Sequence, residues 1–365
     1  MNESNVIVID NGSYMIRAGS AGEEGPSCII PTLVGKPKRS HMCGGKEELY
    51  IGDKAEEKRA ILNNERPIKN GVITNWDNME NLWSYTFSKL NKLPEEYPIL
   101  MTEPLNSSKE DREHITEILF ETYDAYSFCM QPSATFALYA SGKTAGCVVD
   151  CGYEKSRVIP VYEGFSLSEC MTSMDIGGND LDEYLQRELR RQYYFNDTYN
   201  INEFRKMKEA YCYVSVDNEK EEDILMEYYS MPDGYDICIK NERVSVPEMM
   251  FSCNTSGNSR YQGIHQATCK TILKCDTDLH KEFFGNIVLA GGCTKFSGFG
   301  ERMQKEVESI SPANVKVTVQ VCPNRDCMAW VGGSVFTYLS SFQKMCISRE
   351  EYNEKGSAVV NNVCF

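Results

Sequence analysis

Residues 6–19 read Val6-Ile7-Val8-Ile9-Asp10-Asn11-Gly12-Ser13-Tyr14-Met15-Ile16-Arg17-Ala18-Gly19. Four consecutive apolar β-branched residues, Val6 to Ile9, predict a buried strand. Asp10 to Ser13 predicts a tight turn, because Asn and Gly accept a positive φ, and Met15 to Ala18 predicts the return strand. Such a turn presents backbone N–H groups and the Ser13 hydroxyl together, a donor set that suits phosphate. Asp10, at the strand end, is placed to hold a divalent ion through its water shell. Taken alone, a plain structural turn fits the stretch better than a phosphate loop does.

A second copy lies further on. Residues 147–164 read CVVDCGYEKSRVIPVYEG, in which Val148-Val149 run into Asp150-Cys151-Gly152 and Val158 to Tyr162 return. VIDNG and VVDCG are one device in the two halves of the chain. The duplication predicts two lobes facing each other across a cleft, with Asp10 and Asp150 flanking one cation. Two unrelated hairpins remain the alternative at this point.

Composition narrows the class. The chain has 365 residues, enough for two domains. Its net charge of −15 argues against direct nucleic-acid binding and favours basic protein partners or divalent counterions. No apolar run approaches the ~20 residues of a membrane span, and the N-terminus has no basic and apolar leader, so neither membrane insertion nor secretion is expected. The 16 cysteines are scattered without a C-x-x-C pair and only four histidines accompany them, which argues against zinc and for reduced thiols in a cytoplasmic protein.

Along the chain, residues 26–37 predict a Pro-punctuated strand, and residues 38–49, KRSHMCGGKEEL, an exposed loop. Helices are expected over 76–90, from an N-cap at Ser108 through Tyr123, over 133–141 closed by Gly142, over 180–193, 202–214 and 298–310, and from Ala329 onward. Strands are expected at 97–102 and 286–289, and the acidic, turn-rich stretch 217–245 predicts a surface hairpin. Ala290-Gly291-Gly292 makes a strand-to-helix corner that a ligand can approach closely. Strands alternating with helices in both halves give an α/β class.

With these segments in place, the chain resembles the actin family. The matching runs span nearly its whole length: VIDNGS, PTLVGKPK, YIGDKAEEKRAIL, RPIKNGVITNWDNMENLW, LYASGKTAG, MDIGGNDL, MKEAYCYV, MPDG, GIHQATCKTILKCD, AGGCTKFSGF, RMQKEV, WVGGSVFTYLSSFQKMCISREEY and the terminal CF. The resemblance implies a two-lobed actin-like ATPase fold, with duplicated ribonuclease-H-like domains around a nucleotide cleft. It implies a first lobe of residues 1–140 plus 328–365, with a mobile loop subdomain near 32–61. The second lobe is residues 141–327, with an outer subdomain near 172–260. The cofactors implied are ATP or ADP with Mg²⁺ (or Ca²⁺). The partners implied are other actin subunits or actin-binding proteins, in the cytoplasmic cytoskeleton.

Carried over residue by residue, the first phosphate turn is Gly12, Ser13 and Tyr14, with Arg17 on the following strand. The second contains Gly152, Tyr153, Glu154 and Lys155. Gly178, Lys208, Glu209, Gly292, Lys295 and Phe296 match the adenosine-binding positions, and Asp10 and Asp150 the carboxylates that hold the hydrated cation.

The departures bear on chemistry. Actins carry Gly at the place of Tyr14, Lys at Arg17 and Gly at Glu154, which sets a carboxylate where phosphate oxygens belong; Lys155 is expected to offset it. The His and Gln that position the attacking water are replaced by Arg157 and Ser133, and Gln131, two residues earlier, takes the Ser133 place only if the backbone shifts. Catalysis in the family rests on orienting a water in line with the γ-phosphate, so hydrolysis is expected to be slow or absent. Asp326 stands where a Lys lies near the adenine. The loops at 38–49 and 253–263 and the acidic N-terminus depart from the filament-forming pattern, while Glu23, Glu24, Glu95, Glu96 and the Cys364-Phe365 end are kept. Three readings follow: a divergent filament-forming or filament-associated actin, a non-polymerising actin-related subunit or scaffold, and a phosphotransferase on the same fold like the sugar kinases. The last lacks a carboxylate base beyond the two assigned to the cation.

Overall fold

The computed structural model describes residues 6–38, 48–105, 107–193, 201–217, 224–252 and 262–363. The loop expected around 38–49, most of 253–263, part of the 217–245 segment, the N-terminal acidic residue and the Cys364-Phe365 end lie outside these residues.

The chain forms two compact units, one of Met1–Thr144, Val161–Ser168 and Cys327–Phe365, the other of Ala145–Pro160 and Glu169–Asp326. In the first, a six-stranded sheet runs in the order Ile347–Ser348, Ser127–Pro132, Pro98–Glu103, Ile7–Asn11, Met15–Ser20, Cys28–Pro31. The Ser127, Pro98 and Ile7 strands are parallel, and the others join antiparallel. Period-2 alternation sorts the central side chains between two cores. Ile7, Ile9, Ile99, Met101, Phe128 and Met130 enter one, with the helix Trp76–Leu90. Val8, Leu100 and Cys129 enter the other, with Phe136 and Trp330 from the helices Ser133–Ala140 and Met328–Phe336. Those two helices meet at Gly332, where a Cβ would fall 1.7 Å from the Phe136 carbonyl oxygen, so only glycine permits the contact.

The Trp76–Leu90 helix matches its expected span. It buries Met79, Leu82, Trp83, Thr86 and Phe87 on one stripe, Asn75 Oδ1 accepts from the Asn78 amide, and Asn91 stops it at φ 51°. The helix capped by Ser108 is α only over Lys109–Glu117 and widens to a π turn over Ile118–Thr122. The single strand expected over 26–37 is instead two. Cys28–Pro31 ends the large sheet, and Val34–Pro37 belongs to a three-stranded sheet with Tyr50–Ile51 and Leu62–Glu65. The break falls at Thr32, whose amide and hydroxyl turn aside to bond the Tyr14 and Gly12 carbonyls.

The second unit's sheet sets Gly146–Cys151 beside Ser156–Tyr162 and parallel to Ile287–Ala290, with Val319–Gln320 beyond and Thr172–Met174 on the Ser156–Val158 edge. Helices Gly178–Gln192 and Ile201–Tyr211 pack together, and Glu227–Ser230 and Asp236–Ile239 form the surface hairpin. The helices Glu242–Glu248, Ile264–Lys274 and Thr277–Gly285 were not anticipated from the sequence.

Candidate nucleotide site

The first unit builds one set of candidate groups at the carboxyl ends of its parallel strands, the place where α/β sheets bind ligands. Strand Ile7–Asn11 turns at Gly12, whose Cβ would strike the Met15 carbonyl at 2.5 Å. The turn is held from all sides. Thr102 Oγ1 accepts from the Asn11 amide at 3.1 Å, Trp83 Nε1 donates to Asn11 Oδ1 at 3.1 Å, and Thr32 Oγ1 donates to the Gly12 carbonyl at 2.6 Å. Arg66 Nη1 donates to the carbonyls of Ser13, Tyr14 and Thr32, and its guanidinium lies 4.6 Å over the Tyr14 ring. The ring that replaces a glycine is therefore engaged by an arginine of the same unit.

Asp10 is 9% exposed. The Thr102 hydroxyl donates to its Oδ1 at 2.8 Å, and Arg17 Nη1 stands 3.8 Å from Oδ2. Burial pushes the Asp10 carboxyl above its usual range, opposed by Arg17 and the Thr102 hydrogen bond. A buried carboxylate with so loose an ion pair fits a cation held through water, so the donor set suits the divalent ion the sequence implied.

The second unit builds the other set. The turn after Asp150 closes with the Gly152 amide donating to the Lys155 carbonyl at 3.0 Å. Its own carbonyls face the first turn of the Gly178–Gln192 helix: the Gly178 amide donates to Gly152 O at 3.0 Å and the Asn179 amide to Tyr153 O at 2.7 Å. A Cβ on Gly177 would fall 2.5 Å from Tyr153 O, and one on Gly291 (φ +85°) 2.6 Å from Asp150 Oδ1. These glycines let turn, helix and corner close on one another. The Cys293 thiol, pushed up to about 11 by burial and so protonated, donates to Gly152 O at 3.2 Å.

Beneath the turn lies an ion network the sequence reading missed. Asp182 is fully buried and takes Lys208 Nζ on Oδ1 at 2.7 Å and Arg205 on Oδ2 at 2.7 Å, while Lys208 also donates to the Gly178 carbonyl. Arg205 reaches on to the Tyr153 hydroxyl at 3.0 Å, and that hydroxyl donates to Asn179 Oδ1 at 2.7 Å. One signal was available: Asp182 falls on the apolar stripe of Leu181, Leu185 and Leu189, where a carboxylate needs a buried partner.

The other expected residues sort as follows. Lys155 pairs with Asp175 at 2.9 Å. Lys295 pairs with Asp326 at 3.1 Å, Gly292 and Glu209 are exposed, and Phe296 is half-buried. Ser133 opens its helix in the first unit, and Arg157 lies on the Ser156–Tyr162 strand opposite Ser173 in the second.

Comparison with known families decides what this arrangement belongs to. The family model described as Actin matches residues 1–365, the whole length. The chain belongs to the actin family. Its mixed α/β fold is consistent with the family's two-lobed architecture, and actin-family proteins generally bind an adenine nucleotide with a divalent cation. In this actin-family chain no helix among the described residues is long and apolar enough to cross a membrane.

Proposed function

We propose that this actin-family chain binds ATP or ADP with Mg²⁺ (or Ca²⁺) and assembles into or associates with cytoskeletal filaments, with slow hydrolysis at most. The observation that carries the nucleotide reading is Asp10, nearly buried at the end of the central strand beside a glycine-locked turn. Asp10 and Asp150 hold the cation's water shell. Gly12, Ser13, Tyr14, Arg17, Gly152, Tyr153, Glu154 and Lys155 contact the phosphates. Gly178, Lys208, Glu209, Gly292, Lys295 and Phe296 contact the adenosine. The bound cation supplies charge neutralisation of the phosphates.

Ser133 and Arg157 occupy the water-orienting places. A serine hydroxyl is two bonds shorter than a glutamine carboxamide, and a guanidinium cannot accept the proton hydrogen bond that imidazole can. Glu154, a carboxylate where actins carry Gly, favours ADP over ATP by repelling a terminal phosphate. A non-polymerising, nucleotide-bound subunit of a complex is the second reading, favoured by the sequence CNTSGNSRYQG at 253–263, where filament-forming actins carry an apolar plug.

Two measurements test this. Protein purified without added nucleotide is denatured and the released nucleotide identified; a stoichiometric adenine nucleotide supports the reading, and an empty protein that fails to take up Mg·ATP ends it. High-speed pelleting after addition of Mg²⁺ and salt separates the two assemblies: protein left in the supernatant well above micromolar concentration supports the non-polymerising subunit.

A further inference from the structure

The three parallel strands of the first unit end in a polar row. Ile9 pairs in register with Met101, and Thr102 with Gln131. Asp10, Thr102 and Gln131 therefore stand side by side on one face, as the Thr102–Asp10 hydrogen bond requires. It is the face whose interior positions are Val8, Leu100 and Cys129, covered by the Ser133–Ala140 and Met328–Phe336 helices.

Gln131 differs from its two neighbours. Asp10 and Thr102 are bonded to each other. Gln131 is only 6% exposed, yet its Nε2 has no acceptor among the described residues. A buried amide donor left without an acceptor costs free energy, and native proteins satisfy nearly all such groups. A ligand bound beside Asp10 would supply that acceptor.

We propose that Gln131 is a ligand-positioning residue, whose carboxamide donates to an oxygen of the bound cation–phosphate group next to Asp10. Two sources share that chemistry: a water in the cation's shell, or a phosphate oxygen. Gln131 does not move into the Ser133 place, since residues 127–132 remain strand and the helix starts at Ser133. It brings a carboxamide to the first unit's candidate groups from the sheet instead. The inference rests on the nucleotide reading above.

The test compares wild type with Gln131→Met, which keeps side-chain length and removes the donor, and with Gln131→Leu as a second apolar variant. Affinity for a fluorescent ADP analogue is measured with Mg²⁺ and again in EDTA, and thermal unfolding is followed in EDTA without nucleotide. Both variants are expected to bind Mg·ADP about tenfold or more weakly, as for a lost hydrogen bond to a charged group. Their unfolding midpoints without ligand are expected to equal or exceed that of wild type, because an unsatisfied donor has gone. A defect that disappears in EDTA assigns the acceptor to a cation-bound water, and one that persists assigns it to phosphate. Unchanged affinity overturns the proposal, and so does a loss of affinity matched by a lower midpoint, which marks a structural role. If wild type binds no adenine nucleotide, the nucleotide reading falls and takes this inference with it; wild-type binding with unaffected variants overturns this inference alone.

Discussion

Asp182→Asn is the substitution that most directly probes the second unit. The replacement is nearly isosteric and removes one charge. In the native structure a single fully buried carboxylate balances two buried cations, Arg205 and Lys208, each at 2.7 Å. Without it, the two buried cations lose the carboxylate that joins them. Removing one partner of a buried ion pair costs about 3–5 kcal/mol. For a unit of this size that corresponds to a fall of about 6–20 °C in unfolding midpoint. The assay follows circular dichroism and tryptophan fluorescence together through a denaturant titration. All three tryptophans, Trp76, Trp83 and Trp330, belong to the first unit, so fluorescence reports that unit, and dichroism change that does not coincide with it reports the second. Adding Lys208→Met to Asp182→Asn is expected to recover part of the loss, because one of the unbalanced cations goes with it. A loss under about 1 kcal/mol would place the carboxylate in a solvated setting and refute the argument. A double variant worse than the single one would show that packing, not charge, is what Asp182 supplies.

Other outcomes follow from single observations. Gly332→Ala drives a Cβ to 1.7 Å from the Phe136 carbonyl, so the two helices must part; a destabilisation of about 3 kcal/mol or more is expected from denaturant unfolding read by Trp330. His265 is buried against Phe251, its Nδ1 has no partner among the described residues, and burial lowers its pKa from 6.5, outweighing Glu306. The unfolded chain therefore takes up the proton first: this contribution to stability is whole above pH 6.5 and is lost as pH falls below it, by up to about 1.4 kcal/mol per pH unit. His265→Leu should flatten that slope between pH 6.5 and 5 in a series of denaturation curves. Glu154→Gly is expected to raise the affinity for ATP relative to ADP, measured by competition. Ser133→Gln with Arg157→His is expected to raise phosphate release from ATP, and no change in the double variant would make the Glu154 turn the limiting feature.

The parts of this protein that were legible in its sequence are those governed by local periodicity. Val6–Ile9 and Val148–Val149 announced central strands because they are buried on both faces, and the Trp76–Leu90 helix announced itself because Met79, Leu82, Trp83 and Phe87 repeat at helical spacing. The first turn was legible from Gly12, though its glycine serves space and not a positive φ: a Cβ there would fall 2.5 Å from the Met15 carbonyl oxygen. What was not legible depends on partners far away in the chain. Thr32 breaks its strand because it serves a turn twenty residues earlier, and Arg66 reaches that turn from the end of another sheet. The Asp182 network joins side chains 23 residues apart on two helices; the apolar stripe marks Asp182 as needing a buried partner, but not which residues supply it.

Gln131 shows why register matters more than alignment at such a site. In linear comparison it stands two residues short of the water-positioning place. The backbone changes from strand to helix at Pro132, so the two positions obey different geometries: Ser133 begins a helical turn, and Gln131 keeps the period of the sheet. Its place is set by pairing with Thr102, itself bonded to Asp10 across 92 residues. The loss of a carboxamide at 133 is therefore not the loss of a carboxamide from the first unit. A comparison of aligned positions weighs only Ser133 and forecasts a site without one, whereas the row Asp10, Thr102, Gln131 places an amide donor with no acceptor among the described residues two strands away from the Asp10 carboxylate.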